Sequence, residues 1–236
     1  MRLVVLNNSG NVGKSTICQH MLYPRLKYNI LRIETLNTDG EATGERLSAE
    51  DFDKIFNKIL SSDDVIVDVG ASNIATFKTK IETDFEGAHN FIDYFLIPVT
   101  PDEKQQRDTI KTISDLNAQG VENDKMRVIL NRVNSKRDIK EQFNILYTSD
   151  MLNVINFELN DVLPVVFESS LFKTLERARL TYNTVKEFKT SSEFDEELKG
   201  KIGKEKIELE LQKFYRLGFE AYQKNLQTAF EALNLI

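Results

Sequence analysis

Leu3-Val4-Val5-Leu6-Asn7-Asn8-Ser9-Gly10-Asn11-Val12-Gly13-Lys14-Ser15-Thr16 is the stretch whose reading decides the fold. An apolar run of strand character stops at small and polar residues, a Gly-Lys-Ser-Thr follows, and helical spacing begins. Strand, loop and helix in that order are the context a phosphate-binding loop needs. Gly13 lets the backbone come close to an anion. Lys14 can reach the β and γ phosphates of a nucleotide, the Ser15 hydroxyl can bind Mg²⁺, and the helix aims its first N–H groups at the anion. Asn8, Ser9, Gly10, Asn11, Val12, Gly13, Lys14, Ser15 and Thr16 together form the candidate nucleotide-binding segment. The pattern G-x-x-x-x-G-K-[ST] has glycine where this chain has Asn8. Asparagine tolerates positive φ better than most residues, so the turn can still form. A lysine in the first helical turn is opposed by the helix dipole, and a phosphate nearby removes the objection.

Outward from the loop, the chain alternates strands and helices. Residues 2–7, 29–34, 64–70, 91–99, 125–131 and 162–167 read as strands. Val65-Ile66-Val67 is a continuous apolar run, as in a central parallel strand covered on both faces. Residues 14–27, 48–60, 74–85, 102–118 and 136–148 read as helices, with Pro24 interrupting the first near its end. This order predicts βαβ crossovers and a doubly wound, mostly parallel α/β sheet. After Glu168 the strand signal ends. Residues 169–189 look helical, Thr190-Ser191-Ser192 reads as a break, and 204–233 reads as one long helix. The expected organisation is a nucleotide-binding domain over 1–189 and a C-terminal helical extension over 190–236, packed on the domain or on a partner subunit.

Composition narrows the function classes. The chain has 236 residues, 41% apolar and 29% charged, which suits a globular α/β protein with a substantial core. A net charge of −6 argues against a protein whose main task is to coat nucleic acid. Cys18 is the single cysteine, so no internal disulfide forms, and His20 and His89 leave little for a histidine metal centre. No apolar run approaches the roughly 20 residues of a membrane span. The first strand runs straight into the loop, so no signal peptide is expected, and the expected location is the cytoplasm.

Chemistry is expected at the carboxyl ends of the strands, where open α/β sheets bind ligands. Asp68 closes the run Val65-Ile66-Val67, and a carboxylate there can hold Mg²⁺ against the Ser15 hydroxyl. Gly70 can bring a backbone N–H toward a γ-phosphate. Asn131 ends another strand, and its amide can bond a base edge or serve only as a turn residue. Glu34, Asn37 and Asp39 lie after the second strand, where one of them can position the attacking water. The candidate catalytic set is Lys14, Asp68, Glu34 and Asp39. Lys136, Arg137 and Lys140 form one basic cluster, and Lys199, Lys201, Lys204 and Lys206 another. Each is either a solvated face or a phosphate-contacting patch.

The loop Asn8–Thr16, the strand ending Asp68-Val69-Gly70, Leu96-Ile97-Pro98-Val99-Thr100-Pro101, Asn131-Arg132 and Leu163-Pro164-Val165-Val166-Phe167-Glu168-Ser169 occur in an order that resembles the ParA/MinD group of P-loop ATPases. Within that group the sequence most resembles StbB-type plasmid stability proteins. The likeness covers roughly residues 1–189. It implies ATP and Mg²⁺ as cofactors, a nucleotide-dependent homodimer, a DNA-binding partner protein, and a role in plasmid partition or DNA positioning. Direct DNA contact is compatible with it. Ser9 stands where the group has a signature lysine that contacts the facing subunit's nucleotide. Leu36 stands where the group has the acid that orients water. Both departures imply slow hydrolysis. Two other readings remain: a nucleotide-binding scaffold for a DNA-binding partner, and a small-molecule kinase or ligase resembling dethiobiotin synthetase.

Overall fold

The structure is a computed structural model that describes residues 1–34, 45–159 and 162–235. Among these, seven strands form one sheet in the order β3-β2-β4-β1-β5-β6-β7. They are β1 (Arg2–Val5), β2 (Asn29–Ile33), β3 (Glu45–Leu47), β4 (Val65–Val69), β5 (Tyr94–Val99), β6 (Met126–Val133) and β7 (Val165–Phe167). Every pairing is parallel. The central strands are buried along their length because helices cover both faces, and this is why they read as unbroken apolar runs. From β1 the chain goes to one side of the sheet, and from β4 it crosses to the other. The order therefore reverses beside β1, which places the loop after β1 at the switch point where such sheets bind ligands.

Local sequence explains the main helices. Phe52–Ser61 buries Phe52, Ile55, Phe56 and Ile59, a stripe at helical spacing. The ring of Phe52 lies 4.6 Å from that of Phe56 and 5.6 Å from that of Phe77. Glu103–Ala118 begins at Asp102, whose carboxylate accepts from the Gln105 N–H at 3.1 Å. The helix after the loop continues to Leu26 through a π-helical stretch, Ile17–Leu22, so Pro24 does not interrupt it. Pro24 has no N–H to offer. The Arg25 guanidinium instead donates to the carbonyls of His20 (3.1 Å) and Met21 (2.9 Å).

The chain divides into two compact units: Met1–Phe167 with Thr228–Ile236, and Glu168–Gln227. In the first, the end of the chain is tied to the sheet, since Arg127 Nε donates to the Leu233 carbonyl at 3.0 Å. In the second, the helices Leu171–Arg177, Tyr182–Lys186 and Ser191–Glu197 accompany most of the long helix Gly203–Glu231. Phe172, Tyr182, Phe219 and Tyr222 join in ring contacts of 5.1 to 6.3 Å. These contacts place 168–189 with the helical unit, so the expected boundary at 189/190 falls inside that unit. The expected break at Thr190-Ser191-Ser192 is a boundary between helices, Tyr182–Lys186 before it and Ser191–Glu197 from it. Thr190 is an N-cap in a reciprocal box with Glu193, and a helix starts there. Among the described residues no helix is long and apolar enough to cross a membrane.

Candidate nucleotide-binding site

The loop after β1 is held from beneath by buried polar groups. The side-chain amide of Asn7, fully buried, donates to the Pro98 carbonyl (2.9 Å) and to the Thr109 hydroxyl (2.6 Å), while its oxygen accepts from Ser9 N–H (2.8 Å). Asn8 N–H donates to the Thr112 hydroxyl at 3.0 Å. The Asn8 side chain accepts from Lys78 (2.9 Å) and donates to Asp115 (3.4 Å), and Lys78 and Asp115 form an ion pair with each other. Asn8 is thus a tether to the helices that follow β4 and β5. The left-handed turn that glycine or asparagine is expected to supply lies elsewhere, at Asn11 (φ 58°) and Gly13 (φ 91°).

Gly13 is required twice over. Its φ is one that other residues rarely adopt, and a Cβ there would run into the Asn131 amide. Asn131 is buried and donates from Nδ2 to the Val12 carbonyl at 2.8 Å, while its oxygen accepts from Arg132 N–H. In this structure Asn131 supports the loop, and its amide is engaged there. At the loop tip, Arg132 donates to the Asn11 side chain at 3.1 Å.

Lys14 opens the helix and is only 7% exposed. Its ammonium donates to the carbonyls of Ser9 (2.8 Å) and Asn7 (3.2 Å), curling back over the loop. Burial lowers its pKa to about 8, against the upward pull of Asp68. A cation held by backbone carbonyls, with a helix N-terminus behind it, can turn to a phosphate and regain its full charge there.

Asp68, the expected metal ligand, lies at the end of β4 and is 1% exposed. Its Oδ2 accepts from Arg32 Nη1 at 2.7 Å. Burial raises the Asp68 pKa, Arg32 and the nearby Ser15 hydroxyl oppose that, and Glu34 adds to it. Lys14, Ser15, Asp68 and Glu34 therefore lie near one another, with Arg32 among them. Asp68 Oδ1 is buried and without a hydrogen bond among the described residues. That orphaned oxygen and the Ser15 hydroxyl are a donor set that fits Mg²⁺, a hard cation. Gly70 does not offer its N–H to this space, since it donates to the Ile33 carbonyl at 2.9 Å. Asn37, Asp39 and Leu36 lie outside the described residues.

Sequence reasoning missed Arg32. Its signal was a lone cation inside the strand Ile30-Leu31-Arg32-Ile33, where burial demands a carboxylate partner. It also missed Asn7, Thr109 and Thr112, which read as ordinary polar residues until the sheet brings them together.

No family model matches the chain, and no curated protein matches it. Solved structures do. The ATP complex of McdA from Cyanothece aligns over 100% of this chain and 97% of its own, with a TM-score of 0.50 and 14% identity. The chain has the ParA/MinD-type P-loop ATPase fold. Two further structures are similar at lower scores. One is the MinC:MinD cell division complex of Aquifex aeolicus (18% identity, 74% of this chain, 84% of that one, TM-score 0.46). The other is a Borrelia burgdorferi protein assigned to plasmid partition and bound to AMPPNP (15%, 68%, 92%, TM-score 0.42). The doubly wound parallel sheet agrees with the sequence reading.

Proposed function

We propose that this chain binds ATP at the loop 7–16 and works as a nucleotide-gated switch of the ParA/MinD type. The observation that carries the reading is Lys14: a buried ammonium resting on the carbonyls of Asn7 and Ser9, at a helix N-terminus, beside the point where the strand order reverses. Among the described residues, the hydrogen bonds of this buried ammonium go to the carbonyls of its own loop, and few structural roles explain that. The ATP bound to McdA supports ATP as the nucleotide. Ser15 and Asp68 Oδ1 would hold Mg²⁺, which when bound neutralises charge on the β and γ phosphates. The chain's own residues do the rest. Lys14 binds the phosphates, the first turn of the helix orients them, and Asn131 and Asn8 fix the loop that presents those N–H groups.

Hydrolysis is slow in this reading. A neutral Ser9 supplies no cation to developing phosphate charge, and Leu36 supplies no acid to orient water. Glu34 and Asp39 remain the proposed water-positioning groups. The switch would act as a nucleotide-dependent homodimer with a DNA-binding partner, in plasmid stability or partition, in the cytoplasm. Titration calorimetry with Mg-ATP tests the core of this. The wild type should bind, and Lys14→Ala should lose about 100-fold or more in affinity, the value of a buried charge on phosphate. Equal affinity in the two proteins would end the proposal.

A further inference from the structure

The two halves of the long helix Gly203–Glu231 differ in kind. Its second half buries Phe219, Tyr222, Leu226 and Ala229. Over residues 203–214 only Leu209 and Lys213 are even half-buried, and the rest are exposed. Ile207, Leu211 and Phe214 are 58%, 48% and 60% exposed. At about 100° per residue these three fall within about 60° of arc, so they form one stripe along the helix. About three turns of helix are marginal alone in water, and most helical stability comes from packing such a stripe. The charges beside it say what covers it. Lys204 and Glu208 lie on one flank and Lys206 and Glu210 on the other, each pair four residues apart. On both flanks the lysine comes first and the glutamate follows one turn later. A second copy laid antiparallel across a two-fold axis meets each flank with the same flank reversed. Lys204 then faces the partner's Glu208, and Lys206 faces the partner's Glu210. A parallel copy would set lysine against lysine and glutamate against glutamate, which is unfavourable. Basic and acidic residues nearly balance over 203–217, whereas a nucleic acid or an anionic lipid surface calls for an excess of Lys and Arg.

We propose that residues 203–214 pair antiparallel with the same stretch of a second copy of this chain, stripe against stripe, and that this contact forms without nucleotide. Ile207, Leu211 and Phe214 supply the strength. The exposed charges on the rim set the direction of pairing and add little to its free energy. The contact is separate from the nucleotide-dependent dimer proposed above, because it uses neither the loop nor ATP, and it stands or falls without that reading.

The experiment is sedimentation velocity on the nucleotide-free full chain over a range of concentrations. The wild type should dimerise with a dissociation constant below about 100 μM, the range of a small transient interface. The double variant Ile207→Gln with Leu211→Gln keeps good helix formers at exposed positions, and circular dichroism checks that it folds. It should associate about 30-fold or more weakly, the loss of a central apolar contact. Lys206→Glu sets like charges face to face and should weaken the dimer about tenfold, and adding Glu210→Lys should restore it to within about threefold. A helix that needed these residues only for its own fold would show no such loss and rescue in association. A wild type that stays monomeric at about 300 μM overturns the proposal, as does a dimer that the Ile207→Gln, Leu211→Gln variant leaves intact. A monomeric chain that co-sediments with vesicles of phosphatidylcholine and phosphatidylglycerol also overturns it, and gives the stripe to a lipid surface instead.

Discussion

The cations of the sheet unit and those of the helical unit are managed in opposite ways. At the carboxyl ends of the strands Lys14 and Arg32 are buried, Lys14 on the carbonyls of Asn7 and Ser9 and Arg32 against the Asp68 carboxylate. In the helical unit Lys199, Lys201, Lys204 and Lys206 are matched with Glu196, Glu205, Glu208 and Glu210, three or four residues away on the same stretch of helix or turn. What reads in sequence as a basic patch is a row of exposed local pairs. The difference is one of cost. Taking a cation out of water is expensive and persists only with a specific partner, while an exposed pair exchanges water for a neighbour at almost no gain. Buried charge is therefore concentrated behind the loop. The helical unit is distinctive for its apolar surface instead: Ile207, Leu211, Phe214 and Leu217 lie exposed at helical spacing along the long helix.

The largest test of that contrast is Asp68→Ala. It leaves the Arg32 guanidinium buried without its carboxylate, and the expected loss is about 3–5 kcal/mol of unfolding free energy. Denaturant titration followed by circular dichroism measures it. A loss below about 1 kcal/mol would mean that Arg32 relaxes to water, and the contrast between the two sets of cations would be gone.

A second test uses pH. Lys14 has a pKa near 8 in the fold against 10.5 when free. Its burial thus lowers stability at pH below about 8, and that penalty fades as pH rises from about 8 to 10.5, because the unfolded chain then holds more protons than the folded one. ATP affinity runs the other way, since the phosphates need the charged form. From pH 7.5 to pH 9 it should fall by about tenfold in the wild type, following the loss of the ammonium. Calorimetry across that range, at constant ionic strength, gives the slope. A flat profile would show that Lys14 keeps its proton, and would place it among the ordinary solvated lysines of the other unit.

The same contrast explains what could be read in the sequence. β1, β4 and β5 were legible because burial on two faces leaves unbroken apolar runs, and the loop was legible because Gly13-Lys14-Ser15 after a strand is the pattern that a phosphate-binding loop needs. β3 was not. Glu45-Arg46-Leu47 is a short edge strand without alternation or apolar run, and only its pairing with Leu31, Arg32 and Ile33 makes it a strand. The Arg32–Asp68 pair depends on register across two strands 36 residues apart, which no local pattern carries. Thr190-Ser191-Ser192 has the composition of both a loop and a helix cap, and Glu193 decides for the cap. The limit of the helical unit was hidden for a similar reason, because ring contacts between Phe172, Tyr182 and Tyr222 join segments whose own helical patterns look independent.

The smallest expected effect lies on the long helix. Lys204 and Glu208 are spaced four apart with both side chains more than half exposed. In Glu208→Ala the loss of the pair is set against the better helix propensity of alanine. The two are each a few tenths of a kcal/mol, so the net change in stability should stay within about 0.5 kcal/mol. ATP affinity should not change, since nothing about this pair touches the loop. The same denaturant titration serves, beside Asp68→Ala, with the calorimetry repeated on the variant. A loss of about 2 kcal/mol or more would show that this row of charges is bound to something other than water. The long helix would then hold a charged contact of its own, and the division between a sheet edge that uses charge and a helical face that does not would have to be redrawn at Glu208.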